Sequence, residues 1–125
     1  MDYIAPAIAA GVFIVLMSLV REPARQSVNA FLVAGATGVY MSGGGFGIWE
    51  LAFPIVALPI AYLGLRSYLF IAIAWLLHSG WDIAHHLWGH PIWPFAPTSS
   101  LGCTIFDAVI AVWFLAGARS IVTRR

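Results

Sequence analysis

Every basic residue of this chain is an arginine, and the six arginines are spaced so that five crossings of a membrane put all of them on one side. Arg21 and Arg25 follow the first apolar run, Arg66 follows the third, and Arg119, Arg124 and Arg125 follow the last. The same threading sends Glu50, His78, Asp82, His85, His86, His90 and Asp107 to the opposite half. Loops on the cytoplasmic side of a bilayer are enriched in Lys and Arg. The pattern therefore predicts an all-α, polytopic membrane helix bundle of about five transmembrane helices, N-terminus outside and C-terminus cytoplasmic. A four-span threading would split the arginines between the two sides.

Composition agrees. Of 125 residues, 62% are hydrophobic and only 9% are charged, with mean hydropathy +0.92. Average soluble domains carry roughly 25% charged residues. Several apolar runs approach the ~20 residues that cross a hydrocarbon core. Met1-Asp2-Tyr3 has no basic n-region, so the first run reads as a retained helix rather than a cleavable signal. The single cysteine, Cys103, excludes an intramolecular disulfide and a cysteine-rich metal box. Gly43, Gly44, Gly45 and Gly47 are not followed by a Lys-Ser/Thr pair, so no phosphate loop exists, and no basic-aromatic pattern points to nucleic acid.

The expected helices run from about Tyr3 to Val20, Val28 to Met41, Ile48 to Gly64, Tyr68 to Trp88 and Leu101 to Val122. The second is short for a span, and its Ala34, Gly35 and Gly38 suit close helix approach. Pro54 and Pro59 lie inside the third and tend to kink it. Ser42 to Gly47 reads either as a tight turn or as a re-entrant backbone lining a cavity. Thr98, Ser99 and Ser100 offer caps for the fifth helix. No repeat or boundary divides the chain, so residues 1–125 form a single transmembrane helical bundle domain.

The chemistry concentrates on the fourth helix. At ~100° per residue, Asp82 lies ~40° from His78, His85 ~20° to the other side, and His86 ~80° away. His78 and Asp82 are one turn apart, as are Asp82 and His86. A carboxylate one turn from an imidazole is the usual support of a metal-bound histidine. Threading brings Glu50 and Asp107 to the same depth. Buried acids in a membrane face the bundle interior with partners, and no basic residue reaches this layer. The expected metal ligands are His78, Asp82, His85 and His86, with Glu50, Asp82 and Asp107 as catalytic acid/base groups. The donor set suits Fe, Zn, Cu or Mn; a haem variant would use two histidines as axial ligands. His90 precedes a proline and reads as a solvated loop residue. Cys103 reads as a buried inert thiol or a soft ligand.

The strings Ser42-Gly43-Gly44-Gly45, Trp49-Glu50-Leu51-Ala52-Phe53, His78-Ser79-Gly80-Trp81-Asp82, His85-His86-Leu87 and Pro97-Thr98-Ser99-Ser100-Leu101-Gly102-Cys103 resemble a family of small bacterial integral membrane proteins catalogued as a domain of unknown function. The resemblance covers nearly the whole chain and implies a bacterial inner-membrane location. The Asp82-x-x-His85-His86 stretch is also similar to one piece of the histidine boxes of membrane fatty-acid hydroxylases and desaturases, which use more histidines than the four present here.

Three functions follow as expectations. The first is a metal-dependent oxidoreductase or hydrolase acting on a lipid-soluble substrate. The second is a proton-coupled small transporter or channel, with Glu50, Asp82 and the histidines as a relay. The third is a non-catalytic subunit of a larger membrane complex. The lipid bilayer, and either a homo-oligomer or a membrane-complex partner, are the expected associations.

Overall fold

The computed structural model describes residues 1–122. Arg124 and Arg125, assigned from the sequence to the basic end, lie outside the described residues. Five helices account for the fold: α1 (Ile4–Leu19), α2 (Ala24–Ala36), α3 (Trp49–Leu63), α4 (Tyr68–Trp88) and α5 (Ser99–Leu115).

Local chemistry sets their ends. α1 stops where Glu22-Pro23 approaches, because a proline disfavours helical backbone in the residue before it. α2 starts directly after that proline. The Ser67 hydroxyl accepts from the Leu69 amide at 3.2 Å and caps α4 at its expected first residue. Pro54 and Pro59 are both accommodated within the single helix α3.

Two helices end earlier than the hydropathy predicts. α2 stops at Ala36 rather than Met41, since Thr37 turns its hydroxyl back onto the Ala34 carbonyl at 2.8 Å and glycine follows. α5 stops at Leu115 rather than Val122. Gly117 adopts φ 96°, its amide reaches Phe114 O at 3.0 Å, and the Ala118 amide reaches Trp113 O at 2.9 Å. That pair of bonds is a Schellman ending, which a left-handed glycine permits. The expected Thr98 cap is absent, with no side-chain bond at that position.

α4 is the axis of the bundle. It packs on α5, α3 and α2, and α1 lies against the far side of α5. Ile71, Ala72, Ala74 and Trp75 of α4 meet Ile110, Ala111 and Phe114 of α5, with Ala30, Val33, Ala61 and Ala10 closing the core. Alanine at so many contacts brings helix backbones close, as bundles without bulky core side chains require.

The two ends of the bundle differ in chemistry. One end gathers the arginine-bearing segments around Arg25, which is buried. Its Nε donates to Met17 O at 2.9 Å and Val20 O at 3.0 Å, Nη1 to Ala118 O at 2.9 Å, and Nη2 to Ser18 O at 3.3 Å. One guanidinium thus ties carbonyls at the end of α1 to one beyond the end of α5. Gln26 Nε2 donates to Gly64 O at 3.0 Å and Tyr68 bonds Glu22 at the same end. The other end holds the 37–47 and 89–98 connections, joined where the His90 amide donates to Gly44 O at 2.8 Å.

Helix length departs from the sequence expectation. α1, α2, α3 and α5 have 16, 13, 15 and 17 residues, and the 21 residues of α4 include three histidines and an aspartate. No described helix is long and apolar enough to cross a membrane by itself.

Arg25→Ala should lower unfolding stability by about 2 kcal/mol or more, since the Val20 and Ala118 carbonyls lose the guanidinium as donor and each buried carbonyl left unpaired costs ~1–3 kcal/mol. Arg25→Lys should recover less than half of it, because an ammonium lacks the planar fork. Denaturant or thermal unfolding of the purified variants measures both.

Candidate functional site

α4 presents His78, Asp82 and His85 on its inward face, and all three are buried. These are the i, i+4 and i+7 positions of one helical stripe. Asp107 of α5 and Glu50 in the first turn of α3 are buried opposite them. The groups form two separate clusters.

The inner cluster is built on the His78 ring. Its Nε2 lies 2.6 Å from the carbonyl of Ala36, the last residue of α2. A carbonyl only accepts, so Nε2 carries a proton and donates it there. The other nitrogen, Nδ1, lies 3.0 Å from Asp82 Oδ2 and 2.9 Å from Asp107 Oδ2. These three atoms lie within 4.8 Å of one another. Asp82 is held in turn by Tyr40, whose hydroxyl donates to Oδ1 at 2.6 Å. The Ser100 hydroxyl lies 2.7 Å from the same Tyr40 oxygen. Having one proton to give, Tyr40 accepts from Ser100.

The outer cluster repeats the design. His85 Nδ1 lies 2.7 Å from Trp81 O and donates to it. His85 Nε2 faces Glu50 Oε1 at 2.8 Å and Oε2 at 2.9 Å. Tyr40 joins the clusters, because its ring stacks on His85 with centroids 3.6 Å apart and 11° between planes while its hydroxyl serves Asp82. Aromatic rings wall both places: Phe46 and Trp81 against His85, Phe53 and Trp75 against His78.

In each cluster a nitrogen lone pair would point at carboxylate oxygens unless a positive charge lies between them. A proton or a metal ion meets that need. The inner set could hold a metal. Nδ1 stands 3.0 and 2.9 Å from the two carboxylates, a spacing shared by an N–H···O hydrogen bond and by neighbouring ligands on one ion. A ring N–H given to a backbone carbonyl is the usual support of a ligating histidine.

The glycine loop shapes the outer cluster. A Cβ on Gly44 would fall 1.5 Å from Glu50 Oε2 and 2.7 Å from His85 Nε2, so only glycine fits. A polar cleft of about 410 Å³ opens here, lined by Met41, Ser42, the glycines, Glu50 and His90.

The sequence candidates thus divide. His78, Asp82 and Asp107 come together, and His85 and Glu50 come together. His86 is half-buried and joins neither cluster, because it lies about 100° around α4 from His85. His90 is exposed at the rim of the cleft. Cys103 is a half-buried free thiol outside the inner set. Ser100, expected as a cap, instead braces Tyr40. Tyr40 and the Ala36 carbonyl were not anticipated. Nothing in the spacing of Tyr40 marks it, and a backbone carbonyl has no side-chain signal.

Residues 1–120 match the family of unknown function DUF6010. The chain belongs to that family. No curated protein and no solved structure compared with it matches. For this DUF6010 chain the chemistry therefore rests on the geometry above.

Gly44→Ala should displace the Glu50 carboxylate and cost about 2 kcal/mol or more by overpacking. Gly43→Ala should be close to neutral, since nothing lies within 4 Å of its Cβ position. Tyr40→Phe should cost ~1–3 kcal/mol by leaving Asp82 Oδ1 buried and unpaired. Unfolding curves for the three variants check the order.

Proposed function

We propose that this protein is a membrane-embedded, divalent transition-metal protein whose His78–Asp82–Asp107 triad holds the ion. The observation that carries the reading is the orientation of His78: its Nε2–H is committed to Ala36 O, so Nδ1 is aimed at two carboxylates. One histidine and two carboxylates suit Fe, Mn or Zn. Three protein ligands leave coordination positions open, as sites that do chemistry require. A bound ion would supply Lewis acidity or redox capacity there. Asp82 would be fixed by Tyr40, and the aromatic wall would limit water.

A metal-dependent oxidoreductase or hydrolase acting on a lipid-soluble substrate is the activity we propose for the site. Support comes from an apolar groove of about 360 Å³ between α1 and α5, lined by Ala5, Pro6, Ala9, Trp93, Cys103 and Phe106. Cys103 lies one helical turn from Asp107 on α5, so the groove approaches the triad from the side. A proton relay across the whole bundle is less well supported, because Val33, Ile71, Ala72, Ile110 and Phe114 fill the other half.

The membrane setting is proposed on the apolar exterior. Ile4, Ile8, Val12, Leu16 and Leu19 of α1 are exposed, as are Leu51, Ile55, Val56 and Tyr62 of α3 and Val112 and Leu115 of α5. Water-facing monomers rarely carry apolar surface of this extent. Helices of 16 and 17 residues rise ~24–26 Å, short of the ~30 Å hydrocarbon core, a mismatch that local thinning and flanking apolar residues absorb. We place the arginine end in the cytoplasm of a bacterial inner membrane. Self-association would cover the same surface.

The test is metal content by mass spectrometry, on protein purified in mild detergent without a histidine tag. Wild type should carry at least one Fe, Mn, Zn or Cu per chain. His78→Ala or Asp107→Asn should reduce it more than tenfold, and His86→Ala should leave it unchanged. A folded wild-type protein that stays metal-free after incubation with each ion would sink the reading. Resistance to alkaline extraction from membranes tests the setting separately.

A further inference from the structure

We infer that the ligand of this protein is a long-chain alcohol, a single-chain amphiphile with an uncharged head. Its head lies in a cleft beside Tyr40 and its chain in the groove between α1 and α5. The inference rests on the reading of a lipid-soluble substrate, and gives that substrate a chemical class and an orientation.

Two cavities meet at one side chain. The first, of about 450 Å³, is lined by Tyr40, Ser42, Gly44, His90 and Pro91. The second is the apolar groove of about 360 Å³ that Ala5, Pro6, Ala9, Cys103 and Phe106 line. Ile92 lines both. The backbone on either side of Ile92 is held in place. The His90 amide donates to Gly44 O at 2.8 Å, and the Trp93 amide donates to Ser99 Oγ at 3.0 Å. Each cavity approaches the triad through a different residue. Tyr40 donates its hydroxyl to Asp82, and Cys103 stands one helical turn before Asp107. A ligand that fills both cavities therefore has its head-to-chain junction at Ile92, between those two approaches.

Charge selects the head. Among the described residues, neither cavity is lined by Lys, Arg, Asp or Glu. An ionised group buried without a counter-charge is costly, which disfavours sulfate, phosphate and ammonium heads. The first cavity does offer Ser42 and His90, and both side chains can give or accept a hydrogen bond. An alcohol hydroxyl answers both roles. The groove suits hydrocarbon, and its volume lies near the small end of ligand sites, ~300–1,000 Å³. That favours one chain over the two of a bilayer phospholipid. Ala5 and Ala9 are exposed on α1, so the groove opens sideways onto the apolar exterior, and a chain enters without passing the polar loops.

The experiment is photolabelling in lipid nanodiscs with hexadecanol that carries a diazirine in its chain. Labelled peptides are mapped by mass spectrometry, with and without metal. Label should concentrate on residues 5–9 and 99–106, which line the groove. Excess hexadecanol should suppress it at least tenfold, and hexadecyl sulfate, hexadecyltrimethylammonium and added phosphatidylcholine should not. Ala5→Phe and Ala9→Phe, at exposed positions, fill the groove and should each cut the competed label at least fivefold with metal content unchanged. Ser42→Ala combined with His90→Ala should weaken competition by hexadecanol about tenfold. Label spread over the exposed faces of α1 and α3, indifferent to both phenylalanine variants, overturns the groove. Equal competition by the charged analogues or by phosphatidylcholine overturns the uncharged, single-chain ligand. A dimer that Ala9→Phe dissociates, with no competed label, gives the groove to a second copy and overturns the alcohol. Metal retained without competed label sinks this inference alone. Competed label on a protein that binds no metal supports the alcohol site and sinks the triad reading.

Discussion

The His78 ring is fixed on both sides, and three helices depend on it. Its Nε2 donates to the Ala36 carbonyl at the end of α2, while Nδ1 faces an aspartate of its own helix and one of α5. Burying two carboxylates with no arginine nearby is expensive unless a positive charge lies among them. The same requirement that makes the cluster costly makes it selective. Hydrocarbon packing alone would let α4 rotate against its neighbours, whereas a ring with two committed nitrogens allows one setting. Tyr40 and Ser100 extend that setting to the loop and to the start of α5.

The bundle divides its labour by depth. Near the arginine end, small and apolar residues let helices approach, and the buried charge is Arg25 in the first turn of α2. In the other half, side-chain polar bonds replace apolar contacts between α2, α4 and α5, and Ser79 and Thr104 exchange bonds with backbone carbonyls across α4 and α5. That half also holds the polar clefts beside Gly44. Rigid polar contacts there hold donors in place without filling the space a ligand needs.

Much of this was legible in the sequence. The limits of α4 follow from Ser67 and Gly89, and the i, i+4 and i+7 stripe placed His78, Asp82 and His85 together. Threading alone brought Glu50 and Asp107 to their depth. What spacing cannot supply is rotation between helices. Asp82 stands one turn from both His78 and His86, and only the packing of α4 on α2 and α5 decides that His78 turns inward. For the same reason Glu50 and Asp107, alike in sequence terms, go to different histidines. Helix ends set by backbone chemistry, at Ala36 and Gly117, were hidden beneath continuous hydropathy. The membrane-spanning length read from that hydropathy is likewise not matched by any one described helix.

Arg25 ties Met17, Ser18 and Val20 to Ala118, a carbonyl 93 positions further along the chain. During synthesis α1 and α2 precede that last acceptor, which arrives only once α5 has been made. Closure of the bundle at this end therefore requires α5. Until then α1 lacks its main packing partner, which is α5. α1 is thus made before the helix that it packs on most extensively.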